Sequence, residues 1–183
     1  MMKDYPLCDD VCWYAMRDLK RSNAKLPAYR QLSEQHLEVF TPMAWKLCIS
    51  RGRKERRLFP LMPDLLFVNA SRSVIDPIVR RTPTLQYRYA SGGDYCEPII
   101  VPDDDMNRFI RAVSTSSNPK FYRPEELTAS LCGRPVRIIG GPLDGYEGRL
   151  QTIRGSRTRR LLVELPNVLV AAVEVAPEFV EFL

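Results

Sequence analysis

The chain has 183 residues, enough for one domain or two small ones, and its 45% hydrophobic content supports a packed core. A formal charge of +5 and a pI near 9.0 favour acidic partners without choosing between nucleic acid and an acidic protein surface. No stretch approaches the ~20 apolar residues of a membrane span. MMKDYPLCDD is polar where the apolar part of a secretion signal would begin, so a soluble, cytoplasmic protein is expected.

Fifteen prolines and nine glycines imply many turns. The five cysteines, Cys8, Cys12, Cys48, Cys96 and Cys132, are odd in number and irregular in spacing, which argues against a disulfide framework. Cys8 and Cys12 have no second pair or histidine nearby, so no metal is expected. The one histidine, His36, closes an amphipathic helix, where a structural role outweighs that of a catalytic base. With no phosphate loop and no nucleophile elbow either, neither an enzyme nor a cofactor is expected.

In chain order, VCWYAMR at 11–17 reads as a strand of clustered aromatic and β-favouring residues. Leu26, Tyr29, Leu32 and Leu37 share one rough helical face, with Pro27 in the first turn and the end near Glu38. EVFTP and MAWKLCIS alternate as short strands. RGRKERR at 51–57 is then a turn or hairpin tip before PLMPDLLFV at 60–68, a dense apolar stretch read as a buried central strand. Asn69 to Ser73 breaks that strand. Ser73 caps a helix whose apolar residues are Val74, Ile75, Ile78 and Val79, with Pro77 placed in its first turn. LQYRYA returns as a strand, and SGGD is a turn. After Pro102 comes the clearest helix. Three aspartates stand at the positive end of its dipole, and Met106, Phe109, Ile110 and Val113 follow a helical period.

STSSNPKFYRP at 114–124 is polar and proline-marked, as a linker is. Beyond it the period changes. PVRII, YEGRLQTI, RRLLVELP, VLVAAVEV and EFVEFL are five short β-type runs split by turns, as in a small barrel. The expected organisation is a first domain over 1–113, a linker over 114–130 and a β-barrel over 131–183. Two basic runs stand out. RGRKERR is either a solvated hairpin tip or a phosphate-tracking surface, and RGSRTRR at 154–160 is either a loop between barrel strands or an RNA-facing one.

CWYAMR, a helix, EVFTP, a basic loop, PLMPDLLFV and IVRRTPTLQYRY occur in the order found in the N-terminal domain of NusG-like transcription factors. RIIGGPLDGYEGRL resembles the KOW motif of their C-terminal domain. The interval from Pro42 to Pro63, with Arg51 and Gly52, also resembles specialised paralogues of the RfaH and UpxY type. The resemblance implies an α+β fold, an antiparallel sheet flanked by helices and linked to a small SH3-like β-barrel. It implies docking on the clamp helices of RNA polymerase through an apolar depression, carried over to Trp13, Tyr14, Met62, Pro63, Leu65 and Phe67. An uncovered apolar sheet face is a protein-docking surface in physical terms as well.

Arg51, Arg53, Lys54, Arg56 and Arg57 are the nucleic-acid candidates for non-template DNA or RNA. On charge alone Lys20, Arg21, Arg30, Arg80 and Arg81 join them. Gly141, Gly145 and Gly148 carry the KOW motif, whose barrel in the family recruits the ribosomal protein NusE or the terminator Rho. The chain departs from the family pattern at Met62, Asp64 and Leu65, where Phe, Gly and Tyr are common. It has Ser71, Arg72 and Ser73 where RfaH-like proteins carry a His-Thr-Thr loop. The implied function is that of a monomeric elongation or antitermination factor, operon-specific because of those departures. The alternative is a free-standing KOW-type RNA-binding or ribosome-associated module.

Overall fold

The computed structural model describes residues 10–21, 24–50, 52–90, 97–129, 131–151 and 158–183. It divides into two compact units, Met1–Asp103 and Asp104–Leu183.

The first unit runs β1 (Cys12–Asp18), α1 (Ala28–Glu34), β2 (Glu38–Phe40), β3 (Met43–Ser50), β4 (Arg53–Pro60), β5 (Leu66–Ala70), α2 (Arg72–Arg81), β6 (Leu85–Tyr87) and β7 (Ile100–Val101). The main sheet has the order β2-β5-β1-β6, with β7 also paired to β1. Trp13 to Met16 are buried in succession, as expected of an inner strand covered on both faces. The register sets Tyr14 beside Val68 and Ala15 beside Phe67, so adjacent residues of β1 serve opposite faces. One face, with Tyr14, Met16, Leu66 and Val68, packs with Ala28 and Leu32 of α1 and Ile75 of α2.

PLMPDLLFV is not one strand, contrary to the sequence reading. Pro60 ends β4, a turn follows, and β5 starts only at Leu66. The Leu65 N–H donates to the Met62 carbonyl at 3.1 Å, which makes Met62–Leu65 a turn with Pro63 at its second position. The carboxylate of Asp64 accepts from Arg88 at 2.9 Å and ties that turn to the chain after β6. The basic run is likewise not a tip. From Arg53 it is strand β4, paired with β3 in a separate two-stranded sheet. Ser50 pairs with Arg53 across a two-residue connection, and Gly52 supplies its left-handed φ of 76°.

The helices also depart from their expected bounds. In α2 the capping position is Ser71, not Ser73, and Pro77 lies in the helix interior. Val74 is 46% exposed, so it is not on the buried stripe. Pro27 stands just before α1, and the helix stops at Glu34 rather than near Glu38. The reason is His36, whose φ of 63° is left-handed. The Leu37 N–H bonds the Leu32 carbonyl at 3.2 Å and the His36 N–H bonds that of Ser33 at 3.0 Å, which is a Schellman closure. Glycine is the usual residue there, and His36 is exposed with no packing to lose. His36→Gly is expected to stabilise the chain by about 0.5–1 kcal/mol in a urea titration.

A polar cluster fastens α2 to the sheet. The Tyr87 hydroxyl donates to Asp76 at 2.5 Å, Arg72 bonds the same carboxylate at 3.1 Å, and the rings of Tyr14 and Tyr87 meet edge-on at 5.4 Å. Burial, then the bond to Asp76, pushes the Tyr87 phenol well above its ordinary range. Burial, then Cys12, does the same for Tyr14. A phenol with a raised pKa favours the folded state while it stays protonated. Its contribution is therefore complete below the ordinary tyrosine value of about 10 and is lost as pH rises beyond it. Tyr87→Phe is expected to cost about 1–2 kcal/mol at pH 7 and to flatten the loss of stability above pH ~10, measured by denaturant midpoints across pH.

The second unit takes in α3 (Asp103–Thr115), β8 (Lys120–Tyr122), a 3-10 turn at Pro124–Glu126, and β9 (Cys132–Ile138), β10 (Glu147–Gln151), β11 (Arg159–Leu165), β12 (Leu169–Val175) and β13 (Val180–Phe182). Its strands form one antiparallel sheet in the order β13-β9-β10-β11-β12-β8. The five strands read from the sequence are β9 to β13. A sixth, β8, comes from the stretch read as linker and pairs with β12. Met106, Phe109 and Ala112 are the buried residues of α3, and Phe109 lies 6.3 Å from Phe121 of β8. The fold is thus α+β, a helix-flanked antiparallel sheet followed in the chain by an antiparallel β unit.

Candidate functional site

The face of the first sheet opposite α1 and α2 carries Trp13, Ala15, Phe40 and Phe67, with Phe40 and Phe67 rings 6.1 Å apart. Trp13, Phe67 and Leu65 are buried, at 2%, 0% and 3% exposure. Tyr14 is turned away from this face and belongs to the core beneath the helices. Met62 is half-buried and Pro63 exposed, on the turn between β4 and β5. Of the six residues expected at an uncovered docking surface, Trp13 and Phe67 share a sheet face but are buried, Leu65 lies buried beside β5, Tyr14 is core, and Met62 and Pro63 alone have solvent access. The replacement Asp64 has a definite partner in Arg88, a salt bridge that a glycine could not make.

Ser71, Arg72 and Ser73 are engaged at the start of α2. The two serine hydroxyls lie 2.8 Å apart, and Arg72 bonds Asp76. Arg80 and Arg81 fall in the last turn of that helix, where cations suit its dipole.

Arg53, Lys54, Arg56 and Arg57 are exposed along β4, whereas Arg51 lies outside the described residues. They are not equivalent. Arg57 is bound to Glu55 at 2.8 Å, and Arg56 lies over the Trp45 ring at 5.5 Å. Of the second basic run, residues 154–157 lie outside the described residues, and Arg160 is no RNA-facing cation. It is 7% exposed and bonds Glu174 at 2.9 Å across the β11–β12 pair.

Gly141, Gly145 and Gly148 do separate jobs. Gly141 and Gly145 have φ of 71° and 78° in the connection between β9 and β10. The Gly145 N–H bonds the Ile138 carbonyl at 2.8 Å, and the Gly140 N–H bonds Asp144 Oδ1 at 2.6 Å. Gly148 is different, because a Cβ there would stand 2.6 Å from the Leu162 carbonyl of β11. Its hydrogen lets two strands approach. At the β11–β12 turn, Pro166 is followed by Asn167 at φ 62°, and the Val168 N–H bonds the Leu165 carbonyl, so Pro166 stiffens a β-turn.

Sequence reasoning missed three features. Asp18, 4% exposed, anchors the backbone of α1. Asp76 holds both Arg72 and Tyr87. The hairpin has a solvent-facing apolar side. The first two had no local signal, but the alternation of MAWKLCIS gave the third. Among the described residues, no group of histidine, cysteine and acidic side chains is placed to hold a metal, and no helix is long and apolar enough to cross a membrane.

A helix-flanked sheet, a basic hairpin and a glycine-turned β unit make up a protein of two compact units. The family model described as transcription termination factor NusG matches residues 11–110, more than half of the chain. The chain belongs to the NusG family and is a transcription factor of that kind. Among solved structures, NusG of Thermotoga maritima, studied for its domain interaction, is similar at 18% identity and a TM-score of 0.48. That likeness spans 95% of this chain and 98% of the other. A comparison with curated proteins found no match.

Proposed function

We propose that the protein is an operon-specific elongation or antitermination factor that docks on the clamp helices of RNA polymerase through its first unit. The observation that carries this reading is the solvent-accessible apolar turn of Met62 and Pro63 between β4 and β5, inside the segment matched by the family model. Met62 suits an irregular partner surface. The departures at Met62, Asp64 and Leu65 support a specialised rather than a housekeeping member. Exposed cations on one face of the hairpin, Lys46 and Arg53 among them, would follow a nucleic-acid backbone beside the clamp. The β unit would recruit a further factor such as NusE or Rho, and the whole acts as a cytoplasmic monomer. An RNA-binding module alone would leave the matched segment without a role.

Leu65→Asp would put a carboxylate at a buried position and report on folding as much as on docking. Met62→Asp and Pro63→Asp are the sharper variants, because both positions have solvent access. Each is expected to weaken binding of the full chain to purified core RNA polymerase by tenfold or more, about 1.4 kcal/mol, and to remove its effect on read-through of a terminator in vitro. Undiminished binding by both variants would refute the assigned turn, and a wild-type chain that ignores polymerase would refute the function.

A further inference from the structure

The hairpin of β3 and β4 is not uniformly cationic, because its pleat sorts side chains onto two faces. Directly opposed residues point the same way. The register therefore gathers Trp45 with Leu58, Leu47 with Arg56 and Ile49 with Lys54 on one face. The other face receives Lys46 with Arg57, Cys48 with Glu55, and Arg53.

On the first face Trp45, Leu47, Ile49 and Leu58 are 58%, 63%, 73% and 42% exposed. A two-stranded ribbon gains stability by burying one side. This one leaves four large apolar side chains in water, between two cations. Scattered apolar residues on a surface are ordinary, but an ordered row at alternate positions of paired strands is a contact patch.

The chemistry of the row selects its occupant. Nucleic-acid bases stack on aromatic rings, and this face offers one, Trp45, already overlain by Arg56 at 5.5 Å. Leu47, Ile49 and Leu58 are aliphatic and gain nothing from phosphate or sugar. An acidic segment with its own apolar side chains satisfies both halves of the surface at once. Charge complementarity across a contact guides encounter and fixes orientation, while the apolar row holds the complex.

We propose that this face docks an acidic, amphipathic segment of a protein, with apolar side chains on Trp45, Leu47 and Ile49 and carboxylates on Lys54 and Arg56. The cationic reverse face, with Lys46 and Arg53, is left to nucleic acid. In taking the polymerase itself as the source of that segment, the inference rests on the function proposed above.

The test uses the full chain and a purified polymerase elongation complex assembled on a nucleic-acid scaffold. The photocrosslinker p-benzoylphenylalanine replaces Ile49 in one protein and Arg53 in another. The expected result is a crosslink from position 49 to an acid-rich polymerase peptide and from position 53 to nucleic acid. In parallel, Leu47→Ser with Ile49→Ser, and Lys54→Glu with Arg56→Glu, are each expected to lower polymerase affinity about tenfold. Circular dichroism of the variants checks that the fold is intact. A crosslink from position 49 to nucleic acid overturns the inference. So does unchanged affinity of both double variants while Met62→Asp still weakens binding, and then the docking function stands. A wild-type chain that fails to bind polymerase overturns both.

Discussion

Gly148→Ala is expected to destabilise the β unit by about 3 kcal/mol or more, a larger effect than at Gly52, Gly140, Gly141 or Gly145. The added carbon would lie 2.6 Å from the Leu162 carbonyl oxygen and 3.0 Å from Leu161 Cδ1. A backbone carbonyl in a paired strand cannot swing aside as a side-chain tip can, so β10 and β11 must separate. Gly145→Ala supplies the contrast. It meets nothing within 4 Å and bears only the strain of φ 78°, about 1 kcal/mol. Gly141→Ala falls between, with the same kind of strain and a contact at 3.0 Å to the ring of Phe179. Denaturant titration should show the midpoint falling in the order Gly145, Gly141, Gly148, with unchanged slope. Equal losses at Gly145 and Gly148 would mean that the strands do not approach so closely.

Asp18→Ala is expected to cost about 3 kcal/mol, and Asp18→Asn about half of that. The carboxylate sits at the end of β1, where Oδ2 accepts the Ala28 N–H at 2.7 Å and Oδ1 the Lys20 N–H at 2.9 Å. Ala28 opens α1 and is buried, and Pro27 before it provides no capping side chain. A strand residue ten positions upstream thus satisfies a first-turn N–H that the helix cannot satisfy itself, and it brings negative charge to the positive end of the dipole. Alanine leaves both donors without a partner. Asparagine keeps one acceptor oxygen and points an N–H₂ at the other donor. Thermal and urea unfolding of the full chain measure both losses. A loss below 1 kcal/mol for Asp18→Ala would show that water replaces the carboxylate at no great cost.

Legibility in the sequence followed the range of the interaction. The run VCWYAMR announced β1 because aromatic and branched residues crowd between polar flanks. α3 announced itself through three aspartates followed by Met106, Phe109 and Ile110 at helical spacing. Glycine-marked turns announced five strands of the β unit. These are local properties of φ, ψ and side-chain period. The errors came where local rules compete. Pro60 and Pro63 lie in an apolar run that resembled one strand, and the prolines won by making a turn. Pro77 reads as a first-turn residue, yet it sits inside α2, on the exposed side of the helix. Of the candidate docking residues, chemical type was readable and direction was not. Tyr14 and Trp13 are neighbours in the chain but lie on opposite faces of the sheet.

By itself the sequence determined a basic, two-part chain of the NusG family, with an apolar stretch, a cationic run and a glycine-turn motif in fixed order. Only the tertiary structure decided what each faces. Strand register divided the cationic run into an apolar-cationic side and a charged side. It buried Arg160 against Glu174 and gave Asp64 to Arg88. It made Gly148 a point of close contact between two strands. The reason is physical: period and turn chemistry act between residues a few positions apart, whereas a side chain's partner is set by whichever strand the fold brings beside it.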